Sequence, residues 1–271
     1  MTKELITKLT AQLETYEKKV FNDLLKSHNI ASATFKQIVL TEIKKNPKML
    51  EAFEKNPSSM FASIIFCAQL GLMPSDSLGQ FYFIPYNTKN GFVIKPMIGY
   101  QGLVSILLRG GDVTSIYCES VHEGDLFEYE LGLNPILKHQ PTDPFRTSVS
   151  FTYVYCVATL KNGTKQFKVM SKSELLATIS LQKERNDLYF NDKKDPNFWM
   201  LKKMCLKQLA KFLPKDYVGT LAIQNDSAVE GGATLTLDES DNVIINHEEK
   251  EFTKEKGMFS DVIVEDIKEK A

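Results

Sequence analysis

The sequence predicts an α+β fold with a mainly antiparallel sheet. Helical spacings of three and four dominate the first seventy or so residues, period-two alternation punctuated by turn residues takes over to about residue 170, and helical spacing then returns as far as Pro214. At 271 residues, with 43% hydrophobic and 25% charged, the chain suits one substantial globular domain with appendages or two small domains. No internal repeat is visible.

Leu5, Leu9, Leu13, Tyr16, Val20 and Leu24 mark an amphipathic helix over residues 3–27. A second helical pattern covers Phe35 to Phe53. Asn56-Pro57-Ser58 reads as a helix start and Gly71 as its stop, and the helix between is apolar nearly all round, as a buried helix is. Gly79–Pro85 and Phe92–Met97 alternate and flank the turn residues Asn87–Gly91, which predicts a hairpin. Gly99–Arg109 is a short helix ended by Gly110-Gly111. Val113–Val121, Leu126–Tyr129 and Val149–Leu160 are strands, the last with Val149, Phe151, Tyr153, Tyr155 and Val157 on one face. Asn162-Gly163 turns the chain into Gln166–Met170. Ser171 and Glu174 form a capping box opening a helix through about Arg185. Asn186–Asn197 is polar and turn-rich, and Phe198–Leu213 is the last strong helix. Beyond about Gln224 periodicity fades and acidic residues accumulate, so a weakly ordered tail is expected.

The net charge of −1 hides an asymmetry. From Lys161 to Lys215 there are 13 Lys or Arg against 5 Asp or Glu, a net of +8. From Asp216 to Ala271 there are 5 against 14, a net of −9. A basic block followed by an acidic tail suits a polyanion site beside a solvating or partner-binding segment, although two solvated surfaces would read the same way. Cys67, Cys118, Cys156 and Cys205 form no CxxC pair and no zinc spacing, and are read as reduced, packed thiols of a cytosolic protein. No apolar run reaches membrane-spanning length and the N-terminus lacks a signal peptide's apolar stretch.

Several chemistries lack their residues. There is no GxxxxGK[ST] loop for ATP, no GxSxG elbow and no HExxH, so no cofactor and no catalytic centre is implied. His122-Glu123-Gly124-Asp125 has no second cluster to complete a metal site, and Glu119, Glu123, Asp125, Glu128 and Glu130 are expected at solvent-facing positions. The positive signal lies on two helices. Lys203, Lys207 and Lys211 recur at i, i+4 and i+8, with Lys215 beyond and Lys202 at the border, while Phe198, Leu201, Cys205, Leu209 and Phe212 fall on a face that can pack on a sheet. Ammonium groups one turn apart suit successive backbone phosphates; a solvated face is the plain alternative. Gln101, Ser105 and Arg109 share the same spacing, with Lys95 just ahead and Gly99 and Gly102 allowing close backbone approach. Among the interleaved aromatics, Tyr100 and Trp199 stand beside basic positions where bases could stack.

Three runs carry a resemblance: NPSSMFASIIFCAQLGLMPSDSLGQFYFIPYN, then KPMIGYQGLVSILLRGGDVTSIYCESVHEGDLFEYELG, then FWMLKKMCLKQLAKFLPK. In order and approximate spacing, their AQLGLMP, FIPY, IGYQGL and RGG elements resemble the RecT family of phage recombination proteins, over about residues 30 to 220. The resemblance implies a fold distantly like Red beta and eukaryotic annealing proteins, and ATP-independent binding and annealing of single-stranded DNA through an annealed duplex intermediate. It also implies homo-oligomers in rings or helical filaments, a phage exonuclease and a host single-strand binding protein as partners, and a bacterial cytoplasm as the setting. Carried onto this chain, it places a DNA groove on Lys95, Gln101 and Arg109, and on Lys207, Lys211 and Lys215; Tyr100, Trp199, Lys202 and Lys203 join from the residue reading. The expected division is an N-terminal helix (1–30) that packs on a neighbouring copy, an annealing core (31–222) and an acidic tail (223–271). Other readings are a passive coating protein and a metal-dependent nuclease using Glu119, Glu123 or Asp125.

Overall fold

A computed structural model of the chain describes residues 2–88, 91–142, 150–180, 195 and 197–246. It is an α+β fold, and every strand pair among these residues is antiparallel.

The N-terminal layer is helical. α1 (Thr2–Tyr16) runs through a π-helical stretch, Glu17–Phe21, into α2 (Asn22–Ser27), followed by α3 (Ser32–Lys45), α4 (Pro47–Lys55) and α5 (Pro57–Gln69). The pattern read as one helix from Phe35 to Phe53 breaks at Asn46-Pro47, where the Asn46 side chain accepts from the Lys48 N–H at 3.1 Å and proline needs no N–H. α5 begins the same way, with Asn56 accepting from Ser59 N–H at 3.0 Å. It ends at Gly71, whose φ of 59° lets the Leu72 N–H reach back to the Cys67 carbonyl at 3.1 Å.

The apolar stripe of the first helix, expected against a neighbouring copy, is met here by this chain's own core. Leu9, Leu13, Phe21 and Leu25 are fully buried in this chain's own core, and Tyr16 stacks on Phe61 at 4.4 Å and donates to Asp241 at 3.1 Å. Its partners lie far along the chain, where periodicity carries no information.

β1 (Phe81–Thr88) and β2 (Gly91–Ile98) pair as the expected hairpin, and α6 (Tyr100–Arg109) follows. β3 (Val113–His122), β6 (Phe151–Leu160) and β7 (Lys165–Ser171) form a three-stranded sheet in the order β3-β6-β7. β4 (Leu126–Glu130) pairs with β5 (Ile136–Gln140), a strand the sequence reading lacked. In β6 it is Val154, Cys156 and Ala158 that bury completely. Tyr153 and Tyr155 are covered instead by Phe127 of β4, at 5.3 and 5.8 Å. A register shift opposite Val121 and His122 lets Phe151 bury fully, off the expected alternation. Val149 lies outside the described residues.

α7 (Lys172–Ser180) is capped as expected, with the Glu174 N–H donating to Ser171 Oγ at 3.2 Å; its extension to Arg185 and most of Asn186–Asn197 lie outside the described residues. α8 (Trp199–Ala210) packs on β6, β7 and β3. α9 (Tyr217–Glu230) packs on β2 and α6, and β8 (Thr234–Leu237) and β9 (Val243–Asn246) form a last hairpin against α5. Order thus continues past the boundary placed at residues 222–223: α9 is held by packing on other elements, with Ala222 and Leu235 fully buried. Residues 247–271 lie outside the described residues.

The thiol reading also needs correction. Cys118 and Cys156 face each other directly across β3 and β6 and are joined as a disulfide. Cys67 and Cys205 are buried free thiols, and burial pushes the Cys205 thiol up to about 12. Among the described residues no helix is long and apolar enough to cross a membrane.

Candidate nucleic-acid interface

α8 explains why the lysine stripe does not stand free. It packs on the sheet and on α6, and its lysine side chains reach across to α9. Lys203 and Lys207, 2% and 7% exposed, both turn toward α9. Lys203 Nζ lies 3.0 Å from Asp226 Oδ1 and 3.4 Å from Glu230 Oε1. Lys207 Nζ lies 3.1 Å from Asp226 Oδ2 and also pairs with Glu230. Burial alone would discharge these groups. Burial disfavours the Asp226 carboxylate, but Lys203 and Lys207 outweigh it and hold its pKa down to about 2. Burial likewise opposes the charge on Lys203, and Asp226 and Glu230 overcome it and raise its pKa. The expected phosphate-facing row is therefore, at these two positions, an internal ion cluster tying α8 to α9. A signal existed for it: Asp226 and Glu230 are the only charges of α9, and their i, i+4 spacing matches that of Lys203 and Lys207.

The other basic positions divide in two. Lys95 Nζ donates to the Gly232 carbonyl at 2.8 Å and lies 5.1 Å from the Tyr86 ring centroid, pinning β2 to the turn after α9. Arg109 donates to the carbonyls of Leu70 and Gly71, the latter at 3.1 Å, and so caps the C-terminal end of α5. Lys215 caps α8, donating to the Lys211 and Leu213 carbonyls at 3.2 and 3.1 Å. Lys211 is exposed and donates to Gln208 at 2.8 Å.

Gly99 and Gly102 do allow a close approach, but to the chain's own backbone. A Cβ on Gly99 would sit 2.1 Å from the Gly79 carbonyl oxygen, and one on Gly102 would sit 2.1 Å from that of Gln80. They seat α6 against the entry to β1.

What remains on the surface is a compact group at the joined N-terminal ends of α6 and α8. Phe198, with a left-handed φ of 57°, precedes α8, and Asp195 accepts from the Trp199 and Met200 N–H groups at 2.9 Å each. This cap presents the Trp199 ring, 41% exposed, at 5.1 Å from the Tyr100 ring and inclined to it by 34°. Lys202 Nζ lies 5.4 Å from the Trp199 ring centroid and 2.9 Å from Glu119 Oε1. Burial pushes the Tyr100 phenol up to about 12, with Glu119 adding to it. Gln101 is exposed beside them. The exposed indole with a neighbouring phenol and amide can take a stacked base, while Lys202, 8% exposed and paired with Glu119, stands behind the rings.

Of the three carboxylates named for a nuclease, Asp125 and Glu119 are engaged by protein side chains or backbone, and Glu123 is exposed. Asp125, whose side chain is buried rather than solvent-facing, accepts from the His122 and Thr142 N–H groups at 2.9 and 3.0 Å and lies 3.0 Å from His139 Nε2. Glu119 pairs with Lys202. Among the described residues no group of three or more His, Cys, Asp or Glu side chains stands together. His122 is buried between Ser120 and Ser150, at 2.9 and 2.8 Å.

Comparison with known proteins places these features in a wider set. Residues 33–257 match the family described as the RecT family. The chain is 32% identical over 218 residues to Protein RecT of Escherichia coli (strain K12), covering 78% of this chain and 76% of that protein. It is 32% identical over 88 residues to the uncharacterized protein YqaK of Bacillus subtilis (strain 168), covering 32% of this chain and 28% of that one.

Proposed function

The chain belongs to the RecT family, which acts in single-strand annealing and DNA recombination, and on that premise we propose that it binds single-stranded DNA and pairs complementary strands without ATP. The observation that carries the proposal to residues is the exposed Trp199 ring, tilted against Tyr100 at 5.1 Å with Lys202 beside it. Trp199, Tyr100 and Gln101 take bases, Lys202, 8% exposed and paired with Glu119, backs the Trp199 ring, and Lys211 and Lys215 extend the positive surface along the end of α8. Lys95, Arg109, Lys203 and Lys207 hold the scaffold that presents them. The protein makes and breaks no bond: it neutralises two backbones, holds bases accessible and leaves the match to Watson–Crick pairing, which is itself downhill. Assembly into rings or helical filaments, and partnership with a phage exonuclease and a host single-strand binding protein, belong to the same proposal.

Order of addition tests it. A single strand is flexible and follows the protein's surface, whereas a preformed duplex must be bent or unwound at a cost of several kcal/mol. Two complementary strands added in turn form their duplex already in the protein's geometry. In an anisotropy series at fixed salt, sequential complementary strands should give the most stable complex, one strand a weaker one and preannealed duplex the weakest. Tightest binding to ready-made duplex, or no gain over a non-complementary second strand, would sink the annealing reading and favour passive coating.

A further inference from the structure

Away from the Trp199 group, a groove of about 300 Å³ lies between β7, the β4–β5 loop and the end of α8. Its walls are largely apolar: Leu131, Pro135, Phe167, Leu209 and Phe212, with Phe212 77% exposed. Lys165 and Phe167 line it from one face of β7, Gln166 and Lys168 from the other. A groove reached by both faces of a strand runs along the strand's edge. β7 is an edge strand, pairing with β6 among the described residues, so every second residue points its N–H and C=O into this groove. Apolar walls beside the open backbone groups of an edge strand suit an extended peptide. The lining carries Lys165, exposed and forming no ion pair among the described residues, and Lys168, which pairs with Glu174 at 3.1 Å; exposed Lys161 and Lys211 lie close by in sequence.

The sequence of this chain contains a matching segment. Phe259-Ser260-Asp261-Val262-Ile263-Val264-Glu265-Asp266-Ile267 has three successive β-branched residues flanked by three carboxylates. Reach is sufficient. From Asn246 to Val262 is 16 residues, about 50 Å when extended. A compact body of this size has a radius of gyration of about 18 Å, so the segment can reach much, though not all, of the surface of its own core. We propose that residues 259–267 dock along the open edge of β7, their apolar side chains in the groove and their carboxylates against Lys165, Lys161 and Lys211. The acidic tail then has a defined seat on the basic half of the molecule, sharing Lys211 with the proposed DNA surface.

Hydrogen exchange of the full-length chain without nucleic acid tests this. Val262→Asp with Val264→Asp leaves the described core untouched, and should make the Lys165–Ser171 amides exchange at least five-fold faster than in the wild type. Lys165→Glu with Phe212→Ser should do the same from the groove's side, and a synthetic peptide of residues 257–269 added to the tail variant should restore slow exchange. Equal rates in the wild type and both variants would overturn the proposal. Protection that disappears on dilution would also overturn it, assigning the groove to a second copy of the chain; protection that requires added oligonucleotide would assign it to nucleic acid.

Discussion

Replacing Asp226 with Asn tests whether the lysines of α8 are structural. Asp226 offers one oxygen to Lys203 at 3.0 Å and the other to Lys207 at 3.1 Å, and all three side chains are nine-tenths or more buried. Removing one member of such a cluster leaves buried positive charge uncompensated, which costs about 3–5 kcal/mol. Glu230 still touches both lysines, so the lower end, about 3 kcal/mol, is expected. That is a large share of a total stability of about 5–15 kcal/mol. With a urea slope of about 2–3 kcal/mol per molar, the unfolding midpoint should fall by about 1 M or more. The sign of the pH dependence follows from the depressed carboxyl pKa. Asp226 titrates near its ordinary value of 3.8 when unfolded and at about 2 when folded, so its contribution is complete above pH 4 and is lost as pH falls through 2. Its share is on the order of 2 kcal/mol, and the Asn variant should lack this acid limb. Replacing the pair together, Lys203→Met with Asp226→Leu, should restore much of the loss, because apolar pairs of similar volume pack without the desolvation cost. A midpoint in the Asn variant within about 0.3 M of wild type, with the acid limb intact, would refute the argument and return Lys203 and Lys207 to the candidate phosphate contacts.

Trp199 is the chain's single tryptophan, so its fluorescence should change on adding a saturating oligonucleotide, and Trp199→Ala should weaken single-strand binding by about 1–3 kcal/mol without lowering Tm. Unchanged fluorescence and affinity would move the interface elsewhere. Gly102→Ala should fail to fold or lose several degrees of Tm, since its Cβ would meet the Gln80 carbonyl oxygen at 2.1 Å, and a normal melting curve would show that α6 can shift. Arg109→Ala should cost about 1–3 kcal/mol by orphaning the carbonyls of Leu70 and Gly71, yet leave the salt dependence of DNA binding unchanged. A flatter salt slope in that variant would identify Arg109 as a phosphate contact.

What the sequence by itself determined is local. The Asn56-Pro57 start of α5, the left-handed Gly71 that ends it, the β1–β2 hairpin, the Asn162-Gly163 turn and the Ser171 cap all sit where the residues put them, because each depends on backbone preferences and hydrogen bonds within a few positions. The ordered AQLGLMP, FIPY, IGYQGL and RGG elements fall inside the stretch that matches the RecT family. What only the tertiary structure decided is which side of each element meets what. Spacing shows that Lys203 and Lys207 share a face, but only α9, arriving later in the chain with Asp226 and Glu230, turns that face inward. Sheet register, not cysteine spacing, sets Cys118 against Cys156. The first helix shows an apolar stripe, yet its partner Phe61 lies forty-five residues beyond Tyr16. Periodicity says that a face must be covered; the covering element is chosen by packing between distant segments, and the energy of that choice appears only when both are in place.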